Sequence, residues 1–358
     1  MIDVGTAAEK FGLDLNLIPA ALDLHRSSVV VDGSGVIYRR GQNTPIRWDR
    51  YREGGMTAVN HTVCAPEAGL EQALTEINQC RRWIDENQDR VTLVRTVEDI
   101  HDAKRADKGA VIFGPQDAAF LGESLDFVGT AYDLGVRILQ LTYQRRNTLG
   151  DGCGMPDPAG LTEFGKQVVR EMDDLGMVVD LSHCSHPTAA DAIDAARGPV
   201  LFTHTGAEAV TPHFRTKPDW LLRAMADKGG VVGVADLSAF ITTRPGVRAT
   251  LNDLVRHIQY LVELVGIDHV GLGLDIDETT TIEEVFAANE AWPEMHSLHV
   301  FGPGGDRAEG ISEAVEGPSI TLALLSAGFA QDDIRKILGG NFLRVLGEVW
   351  SRGQSPQA

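Results

Sequence analysis

The chain has 358 residues, 43% of them apolar, with 38 glycines, 15 prolines and a formal net charge of −19, a composition that excludes a mainly disordered protein. With 51 acidic against 32 basic residues, no basic stripe is available to neutralise phosphates, which excludes nucleic acid as a partner. No apolar run reaches the roughly 18 residues of a membrane span, and the opening MIDVGTAAEKFGLDLNLIPA lacks the basic flank and apolar core of a signal peptide.

A helical segment within residues 1–27 opens the chain. Eight short apolar runs follow: Ser28–Asp32, Met56–Val63, Ala110–Gly114, Val136–Thr142, Met177–His183, Val200–His204, Gly230–Leu237 and His269–Asp275. Helical patterns separate most of them, among them Leu70–Asn87, Glu123–Leu134, Leu161–Leu175, Thr188–Arg197, Pro218–Lys228 and Leu251–Val265. Near-continuous apolar strands alternating with helices predict a parallel sheet covered on both faces, and eight of them predict a (β/α)8 barrel. A doubly wound open sheet is the alternative, but no GxGxxG or GxxxxGK[ST] turn follows the first run. An irregular stretch, 278–318, reads as a lid, and 319–350 reads as capping helices. Nothing marks a second domain, so residues 1–358 are expected to form one.

Barrel enzymes assemble their sites at the C-terminal ends of the strands. Here the fifth run ends in His183, the sixth in His204 and the eighth in Asp275. One strand-end histidine is ordinarily a capping residue, whereas two on neighbouring strands about 4.8 Å apart, with a carboxylate nearby, fit a shared divalent ion. Four cysteines, Cys64, Cys80, Cys153 and Cys184, form no CxxC pair and are expected as free thiols in a reducing compartment, the cytoplasm. Cys184 neighbours His183 but points to the other face of a strand, so it is not counted as a ligand. His61, in VNHTV, either completes the coordination or is a satisfied strand-end histidine.

The segments VVDLSHCSHPTAADAI, PVLFTHTGAEAVTPHFRTKPDWLLRAMADKGGVVGV, HVGLGLDID and LLSAGFAQDDIRKILGGNFLRVL, with YDLGVRILQLTY before them, resemble the membrane (renal) dipeptidase family of the amidohydrolase superfamily. The resemblance runs from Val29 to Leu346. It implies a (β/α)8 barrel with a two-zinc site that hydrolyses dipeptides and related small amides, often as a homodimer. It also implies that His183 and His204 bind the second zinc, that Asp275 handles the proton of the attacking water, and that Arg215 grips a substrate carboxylate.

The departures gather on one half of that site. Where the family has Asp-Gly-His-x-Asp, this chain reads Asp32-Gly33-Ser34-Gly35-Val36, without either first-metal ligand. The bridging glutamate falls on Gln116 and the substrate-polarising histidine on Tyr143. The expectation is therefore a single divalent ion, zinc by family habit, held by His183, His204 and Gln116. Asp275 is then the general base, and Arg215, Tyr143, Arg145 and Asn147 contact a small carboxylate-bearing substrate. Arg146 in the same loop and His296 and His299 in the lid are weaker candidates. Two rivals remain open: a lyase, decarboxylase or non-peptide hydrolase on the same scaffold, and a catalytically silent homologue used for binding.

Overall fold

A computed structural model describes residues 3–38, 48–244, 246–277 and 307–354. The strands among them are β1 (Val31–Val36), β2 (Ala58–His61), β3 (Val91–Leu93), β4 (Gly109–Phe113), β5 (Ile138–Gln140), β6 (Val178–Asp180), β7 (Leu201–Thr205), β8 (Val231–Val234), β9 (Val270–Leu272) and β10 (Ile276–Asp277). They run in the orders β10-β1-β2-β4-β3 and β5-β6-β7-β8-β9, and every ladder is parallel. This is the (β/α)8 barrel that the alternation of strands and helices predicts.

Two seams interrupt the ladder. At the first, β3 takes the N-terminal half of the outer edge of β4, and Phe113 at its end bridges to Val136 before β5. At the second, between β9 and β1, a side chain replaces the ladder: Oδ1 of buried Asp32 accepts the N–H of Leu274 at 2.8 Å and that of Ser34 at 3.2 Å. Burial raises the Asp32 carboxyl well above the usual carboxylate range.

The N-terminal mouth is filled with apolar side chains. Val31, Ala58, Ala110, Ile138, Val178, Leu201 and Val231, from seven strands, form one cluster with Phe342, Val345, Leu346, Val349 and Trp350 of the C-terminal helix Asn341–Trp350. An apolar stripe at i, i+3, i+4, i+7 and i+8 packs that helix against the strands. The outer helices begin at caps that the sequence supplies, as with Thr96 before Val97–Arg105 and Thr250 before Leu251–Val265, each in a capping box with the aspartate of the first turn, Asp99 and Asp253.

Of the eight strands that the runs predicted, five are shorter than their runs, β4 and β7 match theirs in length, and β1 is one residue longer and displaced toward Val36. Gly33 and Gly35 suggest a turn by propensity, yet here Gly33 answers a close approach of backbones and Gly35 leaves room for the Tyr51 and Val59 side chains. A Cβ at Gly33 would lie 2.4 Å from the Thr203 carbonyl oxygen, one at Gly233 2.1 Å and one at Gly273 1.8 Å. Three segments thus crowd one carbonyl of β7, directly before His204. β3 and the helices Trp48–Glu53 and Val97–Arg105 were not anticipated; they are short, and only a few apolar residues mark each. His296, His299 and most of the expected lid lie outside the described residues.

Two predictions follow from the packing. Gly273→Ala is expected to destabilise the protein by about 3 kcal/mol in chemical denaturation, because only backbone could move to admit the methyl group. Two buried histidines, His25 and His257, are held neutral by burial, each with its pKa lowered to about 4 from 6.5. The unfolded chain binds those protons more readily, so the stability they contribute is complete above about pH 6.5 and lost as the pH falls toward 4, against an opposite trend from Asp32. His257→Gln should flatten the acid limb by up to about 1.4 kcal/mol per pH unit, and an unchanged limb would refute the assignment.

Candidate active site

The C-terminal ends of β6 and β7 are tied together by one carboxylate. These strands share a single register pair, Asp180 with Leu201. Beyond it, buried Asp180 accepts from the Ser182 N–H at 3.0 Å and hydroxyl at 2.6 Å, and from the Thr203 N–H at 3.1 Å and hydroxyl at 2.6 Å. The Thr203 hydroxyl spends its proton on Asp180, so its oxygen accepts from Nδ1 of His204 at 2.8 Å. His204 therefore carries its proton on Nδ1 and presents a bare Nε2.

That Nε2 faces Nε2 of His183 across 3.0 Å. Both rings are buried, and both pKa values are lowered from 6.5, chiefly by burial, with the Arg215 guanidinium adding to the shift. Tyr143 stacks on His183 with centroids 4.1 Å apart. His183 belongs to the turn after β6, where its carbonyl accepts the Cys153 N–H at 2.8 Å; its Nδ1 has no hydrogen-bond partner. Arg215 is fully buried, donating from Nη1 to the Ser182 carbonyl and from Nη2 to that of His204 at 3.4 Å, which braces both histidine-bearing segments. Its Nε has no partner.

The expected first-metal half holds neutral groups. Asp275 accepts at Oδ1 from the Ser34 hydroxyl at 2.8 Å, and Ser34 in turn accepts from Nε2 of Gln116 at 3.1 Å. The same Gln116 nitrogen donates to Thr62 at 2.8 Å. The structure thus places Gln116 with Ser34 and Asp275 and gives its amide nitrogen other work; no contact ties it to the histidine pair. Asp275 lies three residues past β9 with φ 57°, an uncommon conformation for a side-chain-bearing residue. Arg307 holds it there, donating to the carbonyls of Leu274, at 3.2 Å, and Asp275, and pairing with buried Asp236 at 2.7 Å.

Other expected contacts sit farther from this centre. Asn147 donates to Asp117 and to the Leu141 carbonyl, both at 2.8 Å, and so organises its own loop. Arg145 and Arg146 are exposed, the latter paired with Asp151. His61 is buried at the end of β2, its Nδ1 3.4 Å from the Gly35 carbonyl. All four cysteines are free; Cys153 is half-buried, and burial raises the thiols of the buried Cys64, Cys80 and Cys184, the last to about 11. Lys217, unremarked in sequence, is fully buried and donates to the Cys184 carbonyl at 2.7 Å; burial lowers its pKa to about 8. Asp180, Asp236 and Arg307 were likewise missed. The carboxylates in VVDLSH and VADLS, embedded in apolar strands, were the available signal.

The two facing Nε2 atoms fit one ion at the usual imidazole distance of about 2.0–2.1 Å. Ser34, Val36 and the neutral Gln116 do not fit a second. Among the described residues no group of three or more His, Cys, Asp and Glu side chains is arranged around an ion position, so further donors would come from water or substrate.

A family model described as membrane dipeptidase (peptidase family M19) matches residues 25–295. The chain is 27% identical over 312 residues to dipeptidase tcpJ of Claviceps purpurea, covering 87% of this chain and 67% of that protein. It is 30% identical over 284 residues to dipeptidase aclJ of Aspergillus oryzae, covering 78% of this chain and 61% of that protein. An amidohydrolase from Pseudomonas aeruginosa superposes with a TM-score of 0.84 at 30% identity, over 92% of this chain and 99% of that one. A metallopeptidase from Rhodobacter sphaeroides, liganded with a phosphinate mimic of the dipeptide L-Ala-D-Ala, shares the fold with a TM-score of 0.75 at 22% identity, over 90% of this chain and all of that one.

Arg307→Ala strands the Asp236 carboxylate in the interior and is expected to cost about 3 kcal/mol. The double variant with Asp236→Asn should recover more than half of that loss in denaturant titrations. Additive losses would show that the pair is not coupled.

Proposed function

The chain belongs to the membrane dipeptidase family, peptidase family M19, a family of metal-dependent hydrolases, and we propose that it hydrolyses a small dipeptide or amide bearing a carboxylate with one divalent ion, zinc by family habit. The observation that carries this reading is the pair of buried imidazole nitrogens 3.0 Å apart, one with its tautomer pinned by Thr203 and Asp180. When bound there, the ion would supply a positive charge that polarises a carbonyl and acidifies a water.

The chain's own residues supply the rest. Asp275 takes the proton of the attacking water at Oδ2, because Oδ1 is engaged by Ser34. The water oxygen bonds to the carbonyl carbon, the C–N bond breaks, and Asp275 returns the proton to the leaving amine. Arg215 offers Nε to the substrate carboxylate, and Tyr143, beside His183, stands where the family polarises the scissile carbonyl. Arg145 and Asn147 form the outer rim of the substrate site in this reading. Four free cysteines support a reducing, cytoplasmic setting, and no helix among the described residues is long and apolar enough to cross a membrane.

One observation favours a second reading. In the hydrogen-bonded chain Asp275, Ser34, Gln116, Thr62, the uncharged Ser34 and Gln116 stand in for ligands of the family's first metal, which suits a lyase, decarboxylase or non-peptide hydrolase acting on a carboxylate. Elemental analysis of gently purified protein should give one ion per chain, lost in His183→Ala and His204→Ala. On a dipeptide panel, Asp275→Asn should lower kcat by about 10²–10⁴-fold. One ion without hydrolysis of any dipeptide would favour the second reading, and no ion would end both metal-dependent accounts.

A further inference from the structure

Opposite the histidine pair, on the N-terminal face of the barrel, lies a cavity of about 260 Å³. Thr57 and Lys108 on its wall immediately precede β2 and β4, so it is remote from the strand ends that carry Asp275 and the histidines. Its charged lining consists of Arg26, Arg52, Lys104 and Lys108 against Glu53 and Asp107; four cations less two anions leave two positive charges, in a protein whose net charge is −19.

Two of those cations are occupied within the fold. Arg52 pairs with Asp107 at 3.2 Å, and Lys108 donates to the Gln88 carbonyl at 2.7 Å. Among the described residues, exposed Arg26 and half-buried Lys104 have no hydrogen-bond acceptor for their side chains, and burial lowers the Lys104 pKa. His25 in the same wall is not a rival cation: its ring nitrogens are taken by Thr321 and the Gly54 carbonyl, both at 2.8 Å. Trp48 also lines the cavity, 1% exposed, and its Nε1–H has no acceptor. The carboxylate whose charge reaches Lys104 is Asp107, and it is already paired with Arg52, so no described acceptor is bonded to this half-buried ammonium and an anion from outside can complete its shell.

We propose that this cavity binds a small dianion of the phosphate monoester or dicarboxylate type, held by Lys104 and Arg26. The site stands apart from the hydrolase reading and uses none of its residues. The test is calorimetric titration of the full chain with inorganic phosphate and with malonate, each against sodium chloride at matched ionic strength. The expected result is saturable binding of one or both anions, weakened at least tenfold by Lys104→Met and by Arg26→Gln. Binding should be unchanged by Lys166→Gln, at a half-buried lysine paired with Glu163 outside the cavity lining, and retained in His183→Ala, which separates this cavity from the barrel mouth. Among the described residues neither Lys104 nor Arg26 makes a hydrogen bond or salt bridge through its side chain, so both variants should melt within a few degrees of the wild type without anion. Phosphate alone would assign the phosphoryl class and malonate alone the dicarboxylate class. Binding no better than chloride, or equal affinity in the Lys104 and Arg26 variants, would overturn the proposal.

Discussion

The site hangs on the carboxylate of Asp180. The backbone ladder between β6 and β7 amounts to one register pair, and four hydrogen bonds to one side chain continue it. Three of those bonds fall on Oδ1 and one on Oδ2, the charge of the carboxylate strengthening each. Because the Thr203 hydroxyl is both a donor to Asp180 and the acceptor for His204, the element that joins the strands also decides which imidazole nitrogen is left bare. Fold and chemistry therefore meet at a residue that touches neither ion nor substrate.

Much of this was legible in the sequence, for physical reasons. Each of the eight apolar runs overlaps an observed strand, because strands covered on both faces cannot hide their composition. His183, His204 and Asp275 were visible because polar residues at the ends of apolar runs are costly unless used. What escaped depends on contacts between distant parts of the chain. Arg307 is an isolated arginine in an irregular stretch, and its partners lie 71 and 32 residues away. The direction of Gln116 is set by Ser34 and Thr62, 82 and 54 residues away. Gly33 and Gly35 of β1 are turn formers by propensity, and only the Thr203 carbonyl against the first and the Tyr51 hydroxyl against the second explain glycine in a strand.

The departures from the family pattern form a unit. Gln116 donates to both Ser34 and Thr62, and Ser34 donates to Asp275, so the replacements at 34 and 116 are joined to one another. The charge that a second metal would have balanced is absent here, and the remaining carboxylate is oriented by a hydroxyl instead.

The cysteines give the molecule a chemical asymmetry. Thiol reagents attack the thiolate, and three of the four sulfurs are buried with their thiols pushed up. Cys153 alone is within reach of solvent, and its backbone N–H is anchored on the His183 carbonyl. A maleimide dye or spin label applied to the unmodified protein at neutral pH would thus attach at one position, beside the histidine pair, and report on the catalytic mouth without any engineered residue.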